Sequence, residues 1–498
     1  MSMSFNTVPA DIQVPLFFAE MDNSAANTSQ DSSPVLLIGH ALSDSSIEPN
    51  TLTIMPSADR AKKLAGRGSQ LARMVEGYRN VDPFGEVWVI AVPETASEEA
   101  ATGEITITGT ALSAGVISLY ISSVRVSVPV VAQDEATAVA ASIAATVNAN
   151  LDVAVTAQAE AGKVTLTAKN KGISGNELPV SVNYRGTVGG EETPSGVNIA
   201  IQVMSGGVGV PDLTAVIATM GDEPFDFIGL PFNDAATLAL MGAEMNDDTG
   251  RWSYARQLYG HVYTARISDL SNLVAFGSTL NDPHLSVAGY ESDIQTAADE
   301  LTAIRVARNA VFIRNDPARP TQTGVLNGAL PAVKGKCFAL PEQQSLLTHG
   351  IGTAYAEGNT LRIQRDITTY QRNAYGVSDN SYFDSETLHT SAYVLRRLKS
   401  VITSKYGRHK LANDGTRFGP GQAIVTPKVI KGELCAVYKE LERAGIVENF
   451  ELFKQYLIVE RNADNPNRLD VLFPPDYVNQ LRVFALINQF RLQYKEAA

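Results

Sequence analysis

Six histidines, His40, His261, His284, His349, His389 and His409, and two cysteines, Cys337 and Cys435, are the side chains here best suited to nucleophilic, acid–base or metal chemistry. No histidine lies three to five positions from another histidine or a cysteine, the spacing that lets one stretch of chain close on a zinc ion, so no metal site is drawn. Gly-x-Ser-x-Gly, His-Glu-x-x-His and the glycine loop ending in Gly-Lys-Ser/Thr are all missing. Gly66 and Gly68, and the group Gly206, Gly207 and Gly209, lack the lysine and the strand–turn–helix order of a phosphate cradle and read as turns or domain junctions. A triad is defined by geometry and not by sequence order, which leaves open a hydrolase with His261 or His349 as base. No catalytic, cofactor-binding or metal-binding residue is assigned, and no cofactor is expected. Two cysteines are too few for a disulfide framework; they read as buried apolar thiols in a reducing compartment.

Binding chemistry has one visible candidate. Lys and Arg number 40 against 53 Asp and Glu, a formal charge of -13, which repels phosphate backbones and argues against nucleic acid as a partner. Against that background Arg396, Arg397, Lys399, Lys405, Arg408 and Lys410 crowd together, with only Glu386 opposing. One reading is a solvated helix whose C-terminal cations suit its dipole. The sharper one is a grip on an acidic partner through Arg396, Arg397, Lys399 and Lys405.

The elements that must position these residues follow from periodicity. The 498 residues are too many for one core and call for several domains. Residues 35–39 and 86–92 are short apolar strands of a covered sheet, and 59–78 carries a helical stripe at Ala61, Leu64, Leu71, Met74 and Val75. From 93 to 207 valine, threonine, alanine and glycine dominate, with strands at 104–108, 116–128, 163–168, 180–184 and 199–204 around a helix at 135–148. Strand and helix then alternate again: strands at 225–230 and 261–267, helices at 233–245 (capped by Asn233 or Asp234), 269–279 and 292–310. Later come a strand at 360–369, a helix at 385–406 with its stripe at Leu388, Ala392, Leu395, Leu398 and Ile402, a helix ending at Gly445, and strands at 457–461 and 481–494.

The expected fold is a multidomain α/β protein. A discontinuous α/β core (23–92 and 208–330) holds an inserted β-rich domain (93–207), followed by a C-terminal α/β or α+β domain (331–480) and flanked by arms at 1–22 and 481–498. Neither a signal peptide nor an apolar run near the ~20 residues of a membrane span is visible, so no direct membrane insertion is expected, and a secreted adhesin built on the insertion is disfavoured. Both arms are apolar: Val14, Leu16, Phe17 and Phe18 at one end, and Val483, Phe484, Leu486, Ile487 and Phe490 at the other, on alternating faces. Such strands need a sheet, and a sheet on a neighbouring copy would give β-augmentation in a polymer.

Several linked stretches resemble one family. Ser345-Leu-Leu-Thr-His-Gly-Ile-Gly352, Ile363-Gln-Arg-Asp-Ile-Thr-Thr-Tyr370, Gly376-Val-Ser-Asp-Asn-Ser-Tyr382, Val394-Leu-Arg-Arg-Leu398 and Asn467-Arg-Leu-Asp-Val-Leu-Phe-Pro-Pro475 are similar to the tail sheath proteins of Mu-like contractile phages, as are Pro15-Leu-Phe-Phe-Ala-Glu20 and residues 35–42. The Trp-Gly-x-Arg-Thr type segment of other contractile tails is missing. The resemblance implies a structural, non-enzymatic subunit that forms a helical homopolymer by exchanging arms between neighbours. It implies a sleeve around a tail tube protein, ended by baseplate and tail terminator, contracting to drive the tube through the host envelope for genome ejection; a headless injection device would use the same sheath. The implied location is the virion, after assembly in the host cytoplasm. One domain of such proteins is subtilisin-like in architecture, without a catalytic motif in this sequence.

Overall fold

The computed structural model describes residues 33–419 and 421–492. Val14, Leu16, Phe17 and Phe18, expected to form an arm, lie outside the described residues, as do positions 493–498. Apolar residues bury β1 (Val35–His40) along its whole length; β2 (Leu52–Ile54), helices α1 (Ala58–Ala65) and α2 (Gln70–Arg79), and β3 (Val87–Val92) follow. The single helix expected over 59–78 is thus two. Ser57 and Ser69 cap them by accepting from the Arg60 and Ala72 N–H groups. Between them Gly66 and Gly68 take φ of 91° and 80°. A Cβ at Gly68 would lie 2.3 Å from the Val153 carbonyl oxygen, so both the turn and the close approach require glycine.

The chain next builds β4 (Thr102–Gly109), β5 (Gly115–Ile121), β6 (Val124–Val130), α3 (Ala136–Ala149), β7 (Val155–Glu160), β8 (Lys163–Ala168), β9 (Val180–Val182) and β10 (Val197–Ser205). They form two antiparallel sheets, β10-β4-β8-β7 and β6-β5-β9, whose inner residues, among them Ile105, Ile117, Ile143, Val164 and Leu166, share one core with α3. The stretch expected as one strand over 116–128 is the β5–β6 hairpin, turning at Ser122 with φ 52°.

After this module come α4 (Thr214–Met220), β11 (Phe227–Gly229), α5 (Ala235–Met245), β12 (His261–Ile267), α6 (Leu270–Gly277), β13 (Leu285–Tyr290), α7 (Ala298–Asn315), α8 (Leu340–Thr348), β14 (Ile351–Glu357) and β15 (Thr360–Arg365). With the first three strands they complete an eight-stranded sheet, β15-β14-β13-β12-β11-β1-β3-β2, in which only β2 and β15 run antiparallel to their neighbours. A parallel sheet must be covered on both faces. Here α1, α2 and α7 bury one face and α4, α5, α6 and α8 the other. The core was expected to end at 330, but β14 and β15 belong to this sheet, because Ile351 and Gly352 pair with Val287 and Ala288 and close an edge β13 would otherwise leave open.

The remainder is α9 (Ser385–Tyr406), β16 (Lys410–Leu411), β17 (Ile424–Val425), α10 (Pro427–Arg443), α11 (Phe450–Tyr456), β18 (Ile458–Arg461) and β19 (Leu469–Leu472), around Val394, Val401, Leu434, Val437, Tyr438, Leu441 and Phe453. Leu395, expected inside the α9 stripe, is exposed, and Val394 and Val401 face inward. The helix leaves the central sheet for α10 part-way along, so its buried stripe drifts. No strand forms over 481–492, the described part of the expected 481–494: alternation supplies two apolar faces, but among the described residues no strand pairs with it. Both cysteines are half-buried instead of fully inside.

Candidate functional site

The last residues docked on the body lie just before the C-terminal apolar run. Tyr477 bridges Val447, and the Val478 N–H donates to the Ile446 carbonyl at 3.1 Å. Gln480 donates to the Ala318 carbonyl, Gln322 to that of Leu481. Arg482 Nη2 then sits 3.1 Å from both Asp384 Oδ1 and Glu386 Oε2. The Glu386 side chain is fully buried and also accepts from the Thr321 N–H and hydroxyl. Burial pushes its carboxyl up, while the Arg482 guanidinium and the Thr321 donors hold it down. Past this clamp Val483, Phe484, Leu486, Ile487 and Phe490 are largely exposed, Ile487 at 92%.

The β18–β19 hairpin offers complementary features. Its four registered pairs run from Ile458 opposite Leu472 to Arg461 opposite Leu469, and among the described residues neither outer edge is paired. An isolated two-stranded ribbon is marginal in water, and Ile458 and Leu472 are each about half exposed.

The basic residues on α9 are distributed differently from expectation. Arg396 makes a bidentate pair with the buried Asp226, donates to the Leu258 carbonyl at 3.1 Å and lies over the Tyr259 ring. Arg397 pairs with Glu440 at 2.8 Å, and Lys405 with Glu433. These three cations tie α9 to the central sheet and to α10 instead of forming a free basic face. Lys399 stays exposed on the same helix.

The histidines named as possible bases serve the interior. His261 Nε2 lies 2.8 Å from Ser286 Oγ, but both side chains are buried inside the sheet, where no substrate can meet them. Burial, with His389 and His284 nearby, holds His261 well below the ordinary imidazole range. His389 bonds the Tyr263 hydroxyl at 2.8 Å. His349 bonds the Ser345 carbonyl at the end of α8. Gly207 and Gly209 pack against the Gly172 carbonyl and Glu98 where β10 leaves its module, a junction and not a cradle. Among the described residues no cluster of three His, Cys, Asp or Glu could hold a metal, and no helix is long and apolar enough to cross a membrane.

Sequence reasoning missed the anchoring role of Arg482. Its signal was present: a lone cation in an otherwise apolar run, Leu481-Arg482-Val483-Phe484.

Residues 206–369 match the phage tail sheath protein central domain, and residues 377–491 the phage tail sheath C-terminal domain. The Mu-like prophage FluMu tail sheath protein of Haemophilus influenzae is 37% identical over 498 residues, covering 99% of this chain and 100% of that one. The chain belongs to the phage tail sheath family. Among solved structures, the sheath tail protein of Desulfitobacterium hafniense superposes on this sheath subunit with a TM-score of 0.50 at 14% identity, over 94% of this chain and 97% of the other, and so shares its fold. That of Listeria innocua gives 0.49 at 12% identity, over 90% and 92%. The sheath subunit is a structural component of a contractile tail, and thereby of the virion. The hydrolase reading of His261 or His349 finds no support in this membership or in the geometry.

Proposed function

We propose that this sheath subunit polymerises as a helical sleeve around a tail tube, in contact with baseplate and tail terminator at its ends, and contracts to drive the tube through the host envelope. Assembly takes place in the host cytoplasm. The observation that carries the reading is the pairing of opposites on one chain: an extended apolar segment, 483–492, projecting from the Arg482 clamp, and a β18–β19 hairpin with unpaired edges. Among the described residues the segment pairs with no strand and neither outer edge of the hairpin is paired, and each can supply that pairing to the other on a neighbour. The segment of one copy adding to the hairpin of the next satisfies backbone groups and buries apolar side chains in one step. Donor and acceptor are different surfaces, so wherever two copies do not exchange segments reciprocally the contact repeats head to tail and grows a polymer. In contraction such links act as tethers while the docked bodies rotate. Val14, Leu16, Phe17 and Phe18 are the corresponding donors at the other terminus. Of the basic helix, Lys399 is the contact to an acidic tube surface, Arg396, Arg397 and Lys405 being engaged within the chain.

Deleting 483–498 tests this directly. The truncated chain should keep its circular dichroism and thermal midpoint yet form no sleeves by negative-stain microscopy; sleeves of normal length from it would refute the proposal.

A further inference from the structure

The β18–β19 hairpin sets two carboxylates against each other: Glu460 on β18 stands directly opposite Asp470 on β19. Like charges opposed across a ladder are destabilising. Asp470 has relief within the hairpin, where Asn462 donates to its Oδ2 at 2.6 Å and Arg468 to its Oδ1 at 2.5 Å, and together they hold its carboxyl below the ordinary carboxylate range. Glu460 has none; it is exposed, and among the described residues no cation pairs with it. The hairpin's other cation, Arg461, is turned to the Pro466 carbonyl and to Asn413. Counting Asp464 in the turn, carboxylates outnumber cations on this ribbon, and the unrelieved one lies on β18.

The segment beyond the C-terminal clamp carries the opposite sign. Over 483–492 the single charged residue is Arg491. It follows Arg482 by nine positions, about 30 Å of extended chain. The first arginine grips carboxylates of its own body, and the second stands exposed near the tip. The apolar faces agree with the charges. Val459, next to Glu460, packs on the C-terminal core, whereas Ile458 and Glu460 face away from it. Phe490 and Leu492, on either side of Arg491, are 77% and 97% exposed. With Arg491 beside Glu460, one of these two lies on Val459 whichever way the added strand runs, and extends that core.

We propose that Arg491 of one copy pairs with Glu460 of the next, and that this pair fixes the register in which the segment adds to the β18 edge. The contact rests on the sheath reading and deepens it by naming the residues that align the joint. A slip of one residue would turn Phe490 and Leu492 out to water and press Arg491 against the core. A slip of two keeps the faces but sets Gln489 beside Glu460, and the ion pair is lost. Charge and apolar face therefore select the same alignment.

Two full-length variants, Glu460→Lys and Arg491→Glu, test it. Both positions are exposed, so circular dichroism should be unchanged, while like charges at the joint should raise the protein concentration needed for sleeves about fivefold. In about 1 M salt, where charges are screened beyond ~3 Å, that rise should fade. An equal mixture of the two variants should form sleeves at the unaltered concentration, because each then meets a neighbour of complementary charge; a pair made within one chain would gain nothing from mixing. A mixture no better than its components, or single variants that assemble at the unaltered concentration, would overturn the Arg491–Glu460 contact, and the 483–498 deletion, still without sleeves, would leave the sheath reading standing. Normal sleeves from that deletion would overturn the exchange of segments, and this contact with it.

Discussion

Arg482→Ala removes the cation that fastens the C-terminal segment to the body. The Arg482 side chain is 10% exposed, and its partners Asp384 and Glu386 are 21% and 0% exposed. Stripping one partner from a fully buried ion pair costs about 3–5 kcal/mol, mostly because the other charge is left uncompensated. Asp384 is partly solvated and keeps Arg365 at 2.8 Å, which places the loss near the lower bound, about 3 kcal/mol. At ~1.4 kcal/mol per decade, the population in which 478–482 lifts off rises about a hundredfold. Hydrogen exchange at the Val478 amide, bonded to the Ile446 carbonyl, reads that population locally, with the Tyr438 core amides as an internal reference. Glu386 supplies the control. Its carboxyl is already pushed up by burial and restrained by Arg482, so losing the guanidinium pushes it up further. A carboxyl whose folded-state value exceeds its unfolded value stabilises the fold when protonated. Protection in Arg482→Ala should therefore improve as pH falls, and adding Glu386→Gln should recover most of it and remove the pH dependence. Unchanged exchange at Val478 in Arg482→Ala would refute the clamp.

Three further outcomes follow from the geometry. Glu177, at the seam where Asn233 and the Ile267 N–H meet the β-rich module, is pushed up to about 7 by burial against these donors and Arg266. Its contribution is complete below the ordinary carboxylate value of 4.5 and is lost as pH rises toward 7, so the thermal midpoint should fall between pH 5 and pH 8, and Glu177→Gln should flatten that fall. Gly68→Ala should destabilise by more than about 1 kcal/mol, read by thermal unfolding, since it adds left-handed strain to an overlap with the Val153 carbonyl. Lys399→Glu should leave the thermal midpoint unchanged while weakening tube binding in a salt-sensitive manner; Arg396→Glu, facing Asp226, should instead compromise the fold.

What the sequence revealed, and what it hid, separates local from pairwise properties. The covered strand at 87–92 and the α10 stripe of Leu434, Val437, Tyr438 and Leu441 were legible because burial on one element leaves its own periodicity. The break at Gly66-Arg67-Gly68 was legible as punctuation, but the helical stripe on both sides outweighed it. The run 481–494 reads as a strand because its faces alternate, yet a strand exists only with a neighbour, and nothing local says whether that neighbour is in the same chain. Arg396 shows the same limit for charge. Its cluster is plain in the sequence, whereas Asp226, 170 positions away, becomes its partner only once α9 lies across the mouth of β11. The edge of the central sheet failed for a related reason, since β14 joins β13 through the return of α7 and α8 and carries no signal of which body it completes.

Helix α9 carries a mechanical consequence. Its first half, with Leu388, His389 and Ala392, is embedded against the central sheet, its second half, with Val394 and Val401, in the C-terminal cluster, and the Arg396–Asp226 clamp sits between. Twenty-two residues at ~1.5 Å each make a rod of ~33 Å. A rod gripped at both ends transmits torque, so a rotation of roughly ten degrees at the sheet sweeps its far end, and the hairpin beyond, through about 6 Å at that length. The helix is thus a lever of fixed length between the central sheet and the C-terminal cluster.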